Sequence, residues 1–566
     1  MIIFDALDDL ASNVATKLGS DLLTIRLVLS VLLGYPIAII YSVLSSRWSI
    51  KGRQAYLLSS GIFLFLWNFG LSIIHMFIGI GATMLVNYLY FRSRFTVVFA
   101  FIFNMGYLLL GSWVYNRGTY DINWTTPYCI LCLRLIGLTW DLFDASKPES
   151  ERSAQQKLSA LPALPGVLET ISFCFVPTAF ISGPQFTMRH YQAFIDGSLR
   201  PMFLLRNRSF ADRFIYNAKV RRTVVRFTLG VLGILLLSRV LPYYSADVLL
   251  TEEFLHKWSF FSRFAFMAIF SQIVLFRYVA VWLIGEGACV LLGLGCTGLV
   301  HIRHLDKDHG RCKTKDGTPV VRTKALLDRR DSAVPWTAIY NKSNREIASY
   351  DPSSLEVREA DHKACANISL ANLLLATNTD NIVAGFNINT NKWMLEYVYK
   401  RLRFLGNKQL SQILTLTFLA VWHGIHSGYY VNFFLEFITV VAEKDALAII
   451  KRSIHAHFLY ETIPGLILTS IIGKLHVMFL LATPLVPFYL LKFHLYYPVL
   501  KSTYFIGFIY LLWPLARPLW VKVFPKSRSV AERHEKSDMT PTVLSNGCST
   551  PVAVGDTADN EMKKRQ

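Results

Sequence analysis

Two short stretches carry polar groups inside long apolar sequence. One is Gly385-Phe386-Asn387-Ile388-Asn389-Thr390-Asn391-Lys392-Trp393, and the other is Leu419-Ala420-Val421-Trp422-His423-Gly424-Ile425-His426-Ser427-Gly428-Tyr429-Tyr430. Lipid and protein interiors penalise ionisable and amide groups, so such groups mark sites of function. An imidazole kept from water stays neutral, the form that accepts a proton, so His423 has what a general base requires. The carboxamide of Asn387 moves no protons, but its NH₂ donates to an oxygen that is gaining negative charge. Together they suit acyl transfer to a hydroxyl.

Plainer roles stand beside this one. A lone membrane histidine also serves by bonding a neighbouring helix, and Gly424 and Gly428, read on one continuous helix, form a small-residue packing face at i, i+4. His426 and Ser427, at i+3 and i+4 from His423 on such a helix, share its face. An acyl-serine at Ser427 is then a second reading, weakened because no acidic residue follows to orient the base. Two histidines make a poor zinc site, and the Cys129-x-x-Cys132 pair has no second ligand pair; His301, His304, His309 and Cys312 have spacings a zinc site could use, but the residues between them are charged and no hydrophobic mini-core follows, so no metal is expected. Trp422, Tyr429 and Tyr430 are more often packing or interface residues than ligands.

Asn387 and His423 are 36 residues apart, and the midpoint adjoins the turn-like Gly406-Asn407. A helical hairpin turning there brings both groups level, about 27 Å from the turn. The first arm holds Glu396, Lys400, Arg401 and Arg403 beside Trp393, Tyr397 and Phe404, so it suits the membrane interface as well as a crossing.

The whole chain supports a membrane setting. Of 566 residues, 53% are hydrophobic and only 17% charged, against about 25% charge in soluble proteins. With 40 Phe, 26 Tyr and 12 Trp, a disordered chain or a coiled coil is excluded. Apolar windows near 23–45, 57–90, 95–115, 124–143, 163–182, 224–242, 258–300, 409–441, 461–490 and 500–524 predict about ten or eleven spanning helices, 57–90 and 258–300 each being long enough for two. The expected fold is all-α, with one membrane domain over 1–525 enclosing an internal chamber.

The net charge of +20 sits in short segments between apolar runs, notably 187–226, and reads as the Lys/Arg excess of cytosolic loops, with no nucleic-acid partner implied. Residues 302–364 form a polar insertion read as a flexible extramembrane loop. The acidic N-terminus lacks the pattern of a cleavable signal peptide. Residues 526–566 are polar and aromatic-free, the composition of a disordered tail. Its final Lys563-Lys564-Arg565-Gln566 is similar to the dilysine signal that returns membrane proteins with a cytosolic C-terminus to the endoplasmic reticulum.

Trp422-His423-Gly424 followed by Gly428-Tyr429 resembles the histidine motif of the membrane-bound O-acyltransferase (MBOAT) superfamily. Four more stretches occur in the order seen in its lysophosphatidylcholine acyltransferase branch: Tyr120-Asp121-Ile122-Asn123-Trp124, Gly183-Pro184-Gln185-Phe186, Phe386 to Asn391, and Lys400 to Lys408. Ser427 stands where a proline is frequent in the wider superfamily, and the lysophosphatidylcholine branch has serine there, which makes it less suited to be the nucleophile. The resemblance covers roughly 95–300 and 361–525. It implies that His423 is the catalytic histidine and Asn387 its partner, that acyl-CoA enters from the cytosol, and that a lysophospholipid arrives from the bilayer. No metal, cofactor or covalent intermediate is implied. Lys400, Arg401, Arg403 and Lys408 are candidates for gripping the phosphates of coenzyme A, or for contacting lipid headgroups, and Trp422 is placed with them on the substrate side. Other acceptors within the superfamily (a sterol, diacylglycerol or a protein) remain alternatives. A transporter lined by the same polar residues is another, though no second copy of either motif supports internal repeats.

Overall fold

The computed structural model describes residues 2–115, 122–199, 218–304, 332–335 and 355–527. Five helices open the chain: α1 (Ile2–Leu18), α2 (Leu22–Leu44), α3 (Ile50–Phe69), α4 (Ile73–Leu89) and α5 (Arg94–Val114). Small polar residues start several of them as N-caps. Asp21 accepts from the Leu23 and Thr24 amides, Ser49 from Gly52, and Ser93 from Phe95, which satisfies amides that lipid could not.

The helix α6 (Thr125–Asp144) forms the centre, with nearly every side chain buried. Around it run the short α7 (Val167–Cys174) and α8 (Met188–Asp196), then the long α9 (Ala218–Val240) and α10 (Phe260–Leu292). The C-terminal half contributes α11 (Thr379–Gly385), α12 (Ile388–Tyr397), α13 (Lys408–His423), α14 (Ser427–Lys451), α15 (Ile463–Ala482), α16 (Leu485–Leu490), α17 (Phe493–Ser502) and α18 (Trp513–Val523). Large apolar side chains point outward on many of these helices, among them Ile102, Trp113, Leu236, Ile463 and Leu515, as a lipid-facing surface requires. The protein is an all-α, multi-pass membrane protein.

Eight helical stretches among the described residues are long and apolar enough to cross a bilayer, fewer than the ten or eleven expected. Residues 57–90, expected to hold two passes, fall within one such stretch, Ile50–Leu89, where a 3-10 turn over Gly70–Ser72 divides α3 from α4. Three further windows account for the rest. Residues 258–300 form one 33-residue helix, α10, in place of two. Residues 163–182 form only the eight-residue α7 and then irregular backbone. There the buried Arg134 of α6 donates to the carbonyls of Phe173, Cys174 and Ala179 at 3.0, 3.0 and 2.6 Å, so non-helical backbone survives inside the protein because a guanidinium satisfies it. Arg134 therefore serves this loop. The third window, 409–441, breaks at Gly424 into α13 and α14, with Glu436 inside the second.

The insertion is not wholly a loop. β1 (Leu299–His304), β2 (Ser332–Pro335) and β3 (Leu355–Ala360) form an antiparallel sheet in the order β2-β1-β3, with Val300 opposite both Val334 and Ala360. The spacing of strands separated by long polar stretches leaves no local period to read. His309, Cys312, Tyr120, Asp121 and the tail with Lys563 and Lys564 lie outside the described residues.

Candidate active site

His423 is the last residue of α13. The helix stops there because Gly424 takes φ +133°, a conformation a side chain resists, while its amide still bonds Ala420 and Val421. The helix expected to run through Trp422–Tyr430 is thus two helices, and His426 and Ser427 do not share a face with His423. The Ser427 hydroxyl accepts from the Tyr496 hydroxyl at 3.0 Å. Gly424 and Gly428 also part company: Gly424 makes the break, whereas a Cβ on Gly428 would lie 2.0 Å from the Pro487 carbonyl, so only Gly428 is there for close packing.

The imidazole of His423 is half-buried in aromatic rings. Centroids of Trp422, Tyr429, Phe433 and Phe488 lie 4.8, 5.4, 5.5 and 5.2 Å from it, with Phe433 stacked and Phe488 edge-on. Its ring nitrogens make no hydrogen bond among the described residues. The reading of a membrane histidine bonded to a neighbouring helix therefore finds no support. Trp422 itself is buried, and its indole N–H donates to the Cys129 carbonyl of α6 at 3.0 Å, which bolts α13 to the central helix. One residue along, the Ile130 carbonyl accepts from the Gln185 side chain at 2.9 Å, so the Gly183–Phe186 stretch is fastened at the same level.

Asn387 precedes α12 with φ +51° and ψ 43°, a left-handed conformation that asparagine tolerates better than most residues. Its amide orientation follows from its neighbours. The Asn389 backbone N–H needs an acceptor and finds the side-chain oxygen of Asn367 at 3.1 Å, so Asn367 turns its NH₂ to the Asn387 oxygen, 3.2 Å away. The Asn387 oxygen is thereby occupied and its NH₂ left as a donor. The Asn391 side chain donates to the Phe386 carbonyl at 2.8 Å, and the Asn389 side chain to the Ala366 carbonyl at 3.0 Å, which explains the asparagine-rich run.

The hairpin forms. Gly406 turns at φ +67°, and the Asn407 side chain caps α13 by accepting from the Leu410 amide. Its arms differ: α13 is helical throughout, about 24 Å long, while the other arm is α12 followed by a 3-10 turn over Tyr399–Leu405. The Trp393 and Phe418 rings stack across the arms at 6.1 Å. Trp393 lies six residues from Asn387, and Phe418 five from His423, so each reactive group stands about 8–9 Å beyond the same contact. By this count Asn387 and His423 belong to the end of the hairpin away from its turn. From the other side, the Phe386 ring packs on Trp282 and Tyr278 of α10 at 5.1 and 6.4 Å.

At the turn, the four basic candidates separate. Arg401 is committed: it forks onto Asp144 at 2.7 and 2.5 Å, donates from Nε to the Glu396 carbonyl and lies over the Trp140 ring at 4.2 Å. It joins the hairpin to α6, helped by the Tyr397 hydroxyl on Asp141 at 2.8 Å. Lys400 pairs with Glu396 at 2.6 Å on the surface. Arg403 and Lys408 are exposed, and Arg403 makes no ion pair among the described residues.

Asn367-Ile368-Ser369 fits the N-x-S/T glycosylation pattern, as do the stretches at Asn123, Asn207 and Asn341, and nothing else in the sequence marks Asn367. It is 3% exposed and bonded through both ends of its amide, so it is not available as an acceptor in the fold. Asn123 likewise turns its side chain onto the Thr125 amide and hydroxyl, while Asn207 and Asn341 lie outside the described residues. No spacing could have joined Asn367 to Asn387, because only the fold sets the two antiparallel stretches side by side through the Ile368–Phe386 bridge.

A multi-pass helical bundle whose one hairpin carries an imidazole without a hydrogen bond among the described residues and a carboxamide whose NH₂ is left as a donor has the parts of a membrane-embedded acyl-transfer enzyme. The chain belongs to the membrane-bound O-acyltransferase family, whose sequence model matches residues 108–472, and it is an acyltransferase. It is 31% identical over 520 residues to lysophospholipid acyltransferase 5 of Homo sapiens, which covers 88% of this chain and 89% of that protein. Lysophospholipid acyltransferase 5 of Drosophila melanogaster is 32% identical over 438 residues, 77% of this chain and 74% of that protein. Lysophospholipid acyltransferase of Saccharomyces cerevisiae is 22% identical over 482 residues, 81% and 67% of the two chains.

Proposed function

We propose that this protein transfers a fatty acyl group from acyl-CoA to the free sn-2 hydroxyl of a lysophospholipid, lysophosphatidylcholine and its relatives foremost. The observation that carries the reading is the pair of unspent groups on one hairpin, a ring nitrogen at His423 and an amide NH₂ at Asn387. The His423 nitrogen takes the hydroxyl proton as the lysophospholipid oxygen attacks the thioester carbonyl. The Asn387 NH₂ donates to the carbonyl oxygen as it becomes an oxyanion. Collapse expels the coenzyme A thiolate, which recovers the proton from His423. The family matches and the aromatic enclosure of His423 support this over transport, since a permeation path needs no donor aimed at a developing oxyanion.

Arg403 and Lys408 at the turn, with Lys400, are suited to coenzyme A phosphates, whereas the guanidinium of Arg401 is held by Asp144 and keeps the hairpin in place. On this reading the turn faces the cytosol, as does the C-terminal tail if Lys563 and Lys564 act as an endoplasmic reticulum retrieval signal. The test is to incubate membranes containing the protein with labelled acyl-CoA and a panel of lysophospholipids. The expected result is acyl transfer to lysophosphatidylcholine that is lost in His423→Ala. Near-normal turnover in a folded histidine variant would overturn the mechanism, and transfer only to a sterol or diacylglycerol would overturn the acceptor.

A further inference from the structure

The mechanism above makes no use of Glu443, a carboxylate in the second half of α14 that is 7% exposed. A buried carboxylate is costly unless donors surround it, and here they come from two other elements, with a third group behind one of them. The Thr379 backbone N–H donates to Oε1 and Oε2 at 3.0 and 3.1 Å, and the Thr379 hydroxyl to Oε1 at 2.7 Å. His476 of α15 places Nε2 2.8 Å from Oε2, and the Tyr510 hydroxyl lies 3.1 Å from its Nδ1.

Thr379 is the first residue of α11, and Asn387 follows that helix after one residue, Phe386. From Thr379 to Asn387 is eight residues, about 12 Å along a helix. Because both oxygens are engaged and one of them chelates the amide and hydroxyl of the same residue, the carboxylate fixes the rotation of α11 as well as its position. Gly473 of α15 closes the other side: a Cβ there would lie 2.6 Å from the Thr377 Cβ and carbonyl oxygen. At its other end α14 presents Tyr429 and Phe433 to the His423 ring. One helix therefore touches both halves of the site, through rings at His423 and through a carboxylate at the segment that carries Asn387.

We propose that Glu443 is a positioning residue for Asn387, with α14 acting as the strut that holds the amide donor in register with the base. This rests on the reading in which Asn387 stabilises the oxyanion. A carboxylate so far from the thioester touches no reacting atom, so its loss is read in the rate and not in substrate binding.

The test measures kcat and KM for acyl-CoA with the full chain in membranes, for Glu443→Ala, Glu443→Gln and Thr379→Val, alone and combined with Asn387→Ala. Glu443→Ala is expected to lower kcat about tenfold to a hundredfold, the range in which sub-ångström to ångström misplacement acts. KM should stay within about twofold, with Glu443→Gln and Thr379→Val smaller in the same direction. In the Asn387→Ala background the same changes should cost less than about twofold more, because the donor they aim is gone. If Glu443→Ala does not accumulate, Glu443→Gln and Thr379→Val carry the test. Wild-type kcat in those folded variants, or losses that multiply with that of Asn387→Ala, would overturn the proposal. So would an equal loss in Asp380→Ala, which removes only the exposed pair of Asp380 with Lys444. Wild-type kcat in Asn387→Ala itself would instead defeat the oxyanion role, and is distinguished by that single variant.

Discussion

The surroundings of His423 and of Asn387 are built from opposite materials. Four aromatic rings hold the imidazole and none of them bonds it, whereas the carboxamide sits in a chain of asparagines that bonds one end of it. The difference follows from what each group must do. A base must keep its nitrogen for the substrate, so it is held by shape and dispersion, which occupy no lone pair. An oxyanion donor must show its NH₂ and hide its oxygen, and only directional bonds distinguish two ends of nearly equal shape.

The largest effect expected is at His423→Ala, where no neighbouring group replaces the base and transfer should fall by about a thousandfold or more in the labelled acyl-CoA assay. Asn387→Ala should cost roughly a hundredfold to a thousandfold in kcat, the usual loss for one oxyanion donor, and Asn387→Asp should do no better because a carboxylate has no proton to donate. Asn367→Leu separates bond-held from shape-held placement. It frees the Asn387 oxygen to turn, and about a tenfold loss in kcat with unchanged KM is expected, whereas wild-type kcat would mean the asparagine chain is only scaffolding. On the other side, Phe433→Leu keeps an apolar wall and should cost only about twofold to fivefold. A loss larger than that of Asn367→Leu would reverse the contrast between the two surroundings. The smallest change is at the turn: Arg403→Glu should raise KM for acyl-CoA a few-fold, more at low salt than at high salt, with kcat kept.

Much of the site was legible because its motifs are local. Trp422-His423-Gly424, the asparagine run and Gly406-Asn407 each declare a polar group or a turn against apolar sequence, and the hairpin joining them appears as expected. Apolar sequence misleads where it reads as uninterrupted helix. Hydropathy does not distinguish Gly424 inside a helix from Gly424 ending one, so Ser427 and His426 were assigned a face they do not share. It also missed that 163–182 is held by Arg134, since a buried guanidinium replaces helical bonds that the segment's own residues do not make. Arg401 looked like a phosphate ligand because its partner Asp144 is 257 residues away.

Sequence alone determined that the chain is apolar enough to live in lipid, that a histidine and an asparagine are stranded in it, and that a turn lies midway between them. Hydrophobicity, side-chain chemistry and turn preference are properties of single residues and short windows, so they need no partner to be read. Which nitrogen stays free, which end of an amide faces outward and which arginine is already occupied were decided only by the tertiary structure. Those outcomes depend on donors and acceptors far away in the chain, and a hydrogen bond is specified by geometry that one-dimensional spacing does not contain.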